Sequence, residues 1–287
     1  METFKLTTED TCDLPTSFFE AHDVGRAALH YYLDETEQTS LHYDAKAFFT
    51  RLRAGGKVTT SQMNAFEFYA FWKPLCMEGR DILHLSFSSA LSGTYGNAVQ
   101  AAELLKKEFP ERKLYVCDTC SQSGGQGLLL TLVSRFKENG HTFEECCEYA
   151  EKTKGKIAHI FTVNDLRWLV STGRVKKAEA FIGNMLMIKP VLYTSAEGKL
   201  TPYARYISRK PALNALCEKV KKKYSGEEGL IYISHGDCAS DARYVADRLA
   251  QLGAKTEILD ISPIIACHTG PDVLAVFFVS ADREMRE

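Results

Sequence analysis

The chain has 287 residues, 45% of them hydrophobic, with 35 Lys and Arg against 37 Asp and Glu for a formal net charge of -2. That length leaves room for two domains with sizeable cores, and so even a charge balance gives no general attraction to nucleic acid. The N-terminal stretch Met-Glu-Thr-Phe-Lys-Leu-Thr-Thr-Glu-Asp has no apolar targeting core and no apolar run approaches a bilayer span, so a cytoplasmic protein is expected.

In chain order, a strand near the N-terminus leads to Asp10-Thr-Cys-Asp-Leu-Pro15, and Thr59-Thr-Ser-Gln62 stands a few residues ahead of a helix over 65–77. Pro74 is expected to kink or end that helix, and its Phe66, Phe68, Tyr69, Phe71 and Trp72 read as core on more than one side. A short apolar strand from Asp81 to Phe87, a helix carrying Ala98, Ala101, Ala102 and Leu105, a strand from Leu114 to Cys117 and a helix around Leu128 follow. This alternation implies an α/β fold whose first part is a mostly parallel sheet with helices on both faces.

Thr142 and Glu145 form a capping box for the next helix. The charged, glycine-containing stretch from Glu151 to Lys156 then marks a boundary, dividing the chain into an N-terminal α/β domain, residues 1–154, and a C-terminal α/β domain, residues 155–287. Beyond it come a strand over 157–163, Asn164 as cap of a short helix, and a polar loop, Ser171-Thr-Gly-Arg174, before another helix. A hairpin turn at Glu197-Gly198, a helix over 210–223, a strand over 230–234 ending at His235-Gly-Asp237, a helix over 241–252 and a strand over 256–259 precede a buried strand, 273–279.

The densest chemical pattern is Ser86 to Ala98, SFSSALSGTYGNA, a strand running into a hydroxyl-rich turn and then a helix. In open parallel sheets ligands bind beyond the carboxyl ends of strands, which is where this turn lies. Free N–H groups and the positive end of the helix dipole favour a carboxylate or phosphate over Ser92 and Gly93, and Gly93 permits close backbone approach. A single Ser or Thr here would be an ordinary cap, whereas Ser88, Ser89, Ser92 and Thr94 together point to an anion.

Generic catalytic motifs are absent from the sequence. There is no GxSxG elbow and no GxxxxGK[ST] loop, Gly124-Gly-Gln-Gly127 lacks the third glycine of a dinucleotide fingerprint, and His84, His159 and His235 fall in no metal-binding spacing. Two other chemistries keep the residue types they need: a lipid esterase or thioesterase using Ser92 and His268, and a thiol redox protein using the Cys117-Asp-Thr-Cys120 pair. Nine cysteines, an odd number, argue for reduced thiols, most of them core.

Read together, Thr59-Thr-Ser-Gln62, Leu91-Ser-Gly-Thr-Tyr95, the Asp118 to Gly127 stretch, Gly173-Arg174, Lys189-Pro190 and His268-Thr-Gly-Pro271 occur in an order that resembles the DegV family of bacterial fatty-acid-binding proteins, over nearly the whole chain. The resemblance implies two α/β domains with a long-chain fatty acid between them and no other cofactor. It implies a carboxylate held by Thr60, Ser61, Ser92 and Gly93, with Thr94, Arg174 and His268 completing the network, and a structural loop around Asp118. Val24 to Tyr32, with His22 and His30 near it, is expected to border the tail. Such a division of labour is physically reasonable, since each buried methylene contributes about 0.8 kcal/mol and a tail of roughly sixteen carbons on the order of 10 kcal/mol gross, while a few hydrogen bonds of about 1 kcal/mol each fix which end emerges.

In the resembling family the protein is a non-catalytic carrier that presents its lipid to a separate ATP-dependent fatty acid kinase, which forms an acyl phosphate, with at most transient contact with a membrane surface. The family's basic docking segment falls here on Tyr203 to Ala212, where Ile207 stands at the place of an expected arginine and Arg205 and Arg209 flank it. Lys219, Lys221, Lys222 and Lys223 read as a solvated helix end.

Overall fold

The computed structural model describes residues 4–41, 43–175 and 188–285. Strand β1 (Phe4–Glu9) is followed by a short helix, α1 (Thr16–Ala21), and then by β2 (Val24–Ala27), which lies parallel to it. Next come β3 (His30–Leu33), β4 (Thr36–Thr39), α2 (Ala45–Arg53) and β5 (Val58–Thr60), the three strands forming a small antiparallel sheet in the order β4-β3-β5. Sequence patterning gives no sign of this excursion, because strands of three and four residues are too short to show a period.

Helix α3 (Ala65–Met77) starts at a capping box, in which the Asn64 carboxamide accepts from the Glu67 N–H and the Glu67 carboxylate accepts from the Asn64 N–H. Pro74 lies inside it and the helix continues only three residues further, to Met77. Phe68 and Trp72 are fully buried, whereas Phe66 is 78% exposed, so the aromatic helix has one core face and one bare one.

Strands β6 (Asp81–Ser86) and β7 (Leu114–Asp118) extend the first sheet, all parallel, in the order β2-β1-β6-β7. Alternation along β6 divides its side chains between two layers. Ile82 and His84 meet α3 and α4 (Thr94–Glu108), with Phe68 and Trp72 edge-on to the His84 ring, while Leu83 and Leu85 face α5 (Gly124–Glu138) and α6 (Phe143–Lys154). The fold is therefore mixed α/β with a parallel sheet flanked by helices. The Thr142–Glu145 capping box of α6 forms as the sequence implies.

Six strands make the second sheet: β8 (Ile157–Thr162), β9 (Ile188–Thr194), β10 (Leu200–Ile207), β11 (Leu230–His235), β12 (Lys255–Asp260) and β13 (Leu274–Val279), in the order β10-β9-β8-β13-β11-β12. Among the described residues of this sheet, only β11 and β12 pair in parallel. Between β8 and β9 the described residues contain α7 (Arg167–Ser171), and the helix expected after Arg174 lies outside the described residues. Asn164 does not cap α7: the Asp165 carboxylate accepts from the Arg167 N–H instead, and the Asn164 carboxamide donates to Asp272. Charge explains this, since a carboxylate is the better acceptor for free N–H groups at a helix start.

Helices α8 (Arg209–Lys223) and α9 (Ala239–Leu249) cover one face of this sheet, and α5 lies against the other. Residues 124–134 of α5 are buried without interruption, because the helix is packed between both large sheets. Its glycines make that possible. A Cβ on Gly125 would stand 2.2 Å from His159 of β8, and one on Gly127 would stand 2.3 Å from the Cys12 carbonyl after β1. The last helix, α10 (Pro263–Thr269), is capped by Ser262 and packs against β3 and β5 of the small sheet. Lys219 departs from a solvated helix end: it is buried, with its ammonium over the Tyr203 ring.

Candidate functional site

Beyond the carboxyl ends of β1, β6 and β7 lies a cavity of about 300 Å3, at the small end of the roughly 300–1,000 Å3 usual for ligand pockets. Glu9 enters from the end of β1, Phe87 and Leu91 from the turn between β6 and α4, and Phe161, Ala275 and Phe277 from strands of the second sheet. Ile264, Ile265 and His268 enter from α10, Thr60 and Ser61 from the end of β5, and Leu29 from the turn ahead of β3. The segment from Val24 to Tyr32 thus borders the cavity through Leu29, while His22 and His30 turn to Glu138 and Glu37.

The structure gathers six of the seven expected site residues on this wall: Thr60, Ser61, Ser92, Thr94, Arg174 and His268. Gly93 is the N-cap of α4, and its Cα faces the Gln62 side chain so closely that an added Cβ would stand 2.6 Å from Gln62 Oε1. Thr60 Oγ1 lies 3.0 Å from His268 Nε2, whose ring direction is set by the last turn of α10. Ser92 Oγ lies 2.9 Å from Thr94 Oγ1 and accepts from the Thr94 N–H.

Two of the four hydroxyls of the turn do not join them. Ser88 is buried and donates to the Gly198 carbonyl, and Ser89 is exposed, its N–H donating to Asp118. A run of hydroxyls in one turn necessarily points in several directions, so only Ser92 and Thr94 reach the cavity.

Electrostatics at this end favour an anion. Arg174 donates to the Thr172 carbonyl, and among the described residues it makes no ion pair. Burial lowers its pKa from the usual guanidinium value. Burial and the nearby Arg174 charge push His268 down to about 4, so the ring is neutral at physiological pH. His268 Nδ1 is shut off from solvent without a partner.

A buried polar layer under the cavity has no counterpart in the sequence reading. The Glu9 carboxylate is fully buried and accepts from the Ser86 hydroxyl, the Phe87 N–H and the Gln126 amide, with His84 Nε2 3.2 Å away. Burial opposes its charge, but His84 and these donors outweigh the penalty and hold its pKa below the usual value. Asp13 accepts from the Ser123 hydroxyl and the Ser262 N–H, tying the loop ahead of α5 to the start of α10, and burial pushes it up to about 6. The Asp10-Thr-Cys-Asp motif marks the place, but nothing in it names the partners more than a hundred residues away.

The Ser92–His268 pair that a hydrolase would use is not formed, since Ser92 bonds to Thr94 and His268 to Thr60. All nine cysteines are free thiols, and burial raises the pKa of both Cys117 and Cys120, opposite to the shift of a reactive thiol. In the segment from Tyr203 to Ala212, expected to dock a partner, Ile207 is 74% exposed and Arg209 is paired with Asp241. No described helix is long and apolar enough to cross a membrane.

An α/β fold with a largely apolar cavity bordered by hydroxyls and by a guanidinium that makes no ion pair among the described residues defines a class of small-molecule binding proteins. The chain belongs to the DegV family, whose model, described as "Uncharacterised protein, DegV family", matches residues 3–281. A DegV domain-containing protein of Clostridium perfringens is 35% identical over 290 residues, covering 99% of this chain and all of that one. A fatty acid-binding protein of Thermotoga maritima is 32% identical over 279 residues, 93% of this chain and 94% of that protein. The solved structure of a fatty acid-binding DegV family protein from Thermus thermophilus superimposes with a TM-score of 0.85 at 26% identity, covering 98% of this chain and 100% of that one.

Proposed function

We propose that this protein binds one long-chain fatty acid, its tail in the apolar cavity and its carboxylate held by Thr60, Ser61, Ser92 and Gly93, with Thr94, Arg174 and His268 completing the network. The observation that carries the reading is Arg174, a half-buried cation without a carboxylate partner among the described residues, on a cavity whose other lining combines hydroxyl-bearing side chains with Leu, Ile, Val and Phe. An isolated buried charge is costly, and a ligand carboxylate would relieve it. Neutral His268 holds the Thr60 hydroxyl on the same wall. The fatty acid-binding relatives named above supply the ligand class.

In this reading the chain is a cytoplasmic carrier rather than a catalyst. Residues 1–154 and 155–287 are its two α/β domains, and the bound acid is presented to a separate ATP-dependent fatty acid kinase. Exposed Ile207, with Arg205 and Arg209 on either side, belongs to the docking face. Native mass spectrometry of the purified protein, with extraction of co-purified lipid, tests the proposal. One fatty acid per chain, depleted in a Thr60→Ala, Ser92→Ala double variant, is expected; a wild type that is empty and takes up neither oleate nor palmitate overturns it.

A further inference from the structure

Two residues of the carboxylate wall come from short segments far apart in the chain. Arg174 is delivered by the loop that ends α7, and His268 sits in the last turn of α10. That loop is built on the carbonyls of α7: the Gly173 N–H donates to Val170, the Arg174 N–H to Leu169, and the Ser171 and Thr172 hydroxyls both donate to Trp168. The Arg174 guanidinium turns back to the Thr172 carbonyl, so the cation moves with the helix.

A helix of five residues has too few internal hydrogen bonds to hold its own place, so α7 stays where its side chains seat it. Leu166 and Leu169 enter the core. The Trp168 ring instead packs on the end of α10, against Gly270, which closes that helix at φ +70° with its N–H on the Ala266 carbonyl. A Cβ on Gly270 would stand 2.4 Å from Nε1 and 2.5 Å from Cδ1 of the indole, so only a glycine admits the ring this closely. One residue thus accepts the loop that carries Arg174 and packs against the glycine two positions beyond His268.

We infer that Trp168 is a positioning residue for carboxylate binding, fixing Arg174 and His268 relative to each other, a refinement that rests on the carrier reading. Among the described residues it stands behind the cavity wall rather than on it. Hydrogen bonds are directional and weaken steeply when misaligned, whereas burial of an acyl tail is non-directional. Loosening α7 against α10 therefore costs recognition of the acid group and spares the tail.

The test compares palmitate with hexadecan-1-ol, the same chain without the charge, by calorimetric titration of wild type, Trp168→Ala and Trp168→Phe. Wild type is expected to prefer the acid by about ten- to a hundredfold. Trp168→Ala should lose most of that preference while binding the alcohol as wild type does, and Trp168→Phe, which keeps a ring over Gly270, should retain it. The His268 ring midpoint, near 4 in wild type, should rise in Trp168→Ala as Arg174 drifts from it.

A Trp168→Ala protein that weakens acid and alcohol equally, or keeps the full preference, overturns the inference while the carrier reading stands, and so does an unmoved His268 midpoint. Should Trp168→Ala fold poorly, the indole N–H resonance of Trp168 in wild-type protein decides. It is expected to shift with palmitate and far less with hexadecan-1-ol, and equal shifts overturn the inference. A wild type that binds neither ligand, or favours the alcohol, counts against the carrier reading itself.

Discussion

Thr60 and His268, 208 positions apart in the chain, meet at 3.0 Å between Oγ1 and Nε2 and join the small antiparallel sheet to the last helix at the cavity wall. Removing the His268 ring takes away a neutral donor site and leaves the Thr60 hydroxyl without its partner. Hydrogen bonds to a charged group contribute about 1.5–3 kcal/mol, so His268→Ala is expected to weaken fatty acid binding by roughly ten- to a hundredfold. Calorimetric titration with palmitate reads this directly, and an unchanged Kd would remove His268 from the site.

The pH behaviour of the same ring has a definite sign. Its pKa in the folded protein is about 4, below the unfolded value of about 6.5. The unfolded chain therefore binds more protons in that window, so His268 contributes stability above pH ~6.5 that is lost progressively as pH falls toward 4. NMR titration of the ring in ligand-free protein should show a midpoint near 4, and a bound carboxylate should move it upward. A free-protein midpoint at the ordinary histidine value would contradict the buried, Arg174-facing environment.

Glycine substitutions separate local fit from backbone need. Gly93 has φ -73°, an ordinary helical value, and a Cβ there meets only the end of the flexible Gln62 side chain. Gly93→Ala should keep its melting temperature close to wild type. Gly270 closes α10 at φ +70°, and a Cβ there would stand 2.4 Å from Trp168 Nε1. Gly270→Ala should cost about 1–3 kcal/mol, seen in urea denaturation. Equal stability of the two variants would contradict this geometry.

How much of this was legible in the sequence depends on the range of the interactions. The helix over 65–77 and the capping box at Thr142 are local, written in residues a few positions apart, and they stand where expected. The LSGTY turn signalled an anion site through the types of its residues, but which hydroxyls reach the cavity depends on neighbours such as Gly198, which sequence does not bring close. The mixed second sheet was similarly hidden, since strand direction is set by pairing partners rather than by apolar pattern. Gly124-Gly-Gln-Gly127 shows the same limit: its lack of a dinucleotide motif was readable, its role in admitting two sheets to one helix was not.

The fully buried Glu9 carboxylate should be the most sensitive polar position in the first sheet. Glu9→Ala leaves His84, the Ser86 hydroxyl and the Gln126 amide facing an empty space. Leaving such buried donors unsatisfied costs about 1–3 kcal/mol or more, a loss that thermal or chemical denaturation will register. A change within about 0.5 kcal/mol, typical of a surface site, would show that the network relaxes without it.

Thiol chemistry offers an independent check. Cys117 is fully buried, and burial raises its pKa. In folded protein it should resist alkylation by iodoacetamide at neutral pH for hours, and Cys117→Ser, Cys120→Ser should bind fatty acid as wild type does. Rapid labelling of Cys117 would revive the redox reading.

Helix α5 belongs to neither sheet alone. A gene truncated at residue 154 would make a polypeptide whose longest greasy helix, buried from 124 to 134 in the intact chain, had lost the β8, β11 and β13 strands it rests on. Such a fragment should precipitate or be degraded, and the complementary piece should fare no better. The chain can thus be drawn as two halves, yet α5 is shared between them, and any recombination between relatives must carry α5 together with the partners on both its sides.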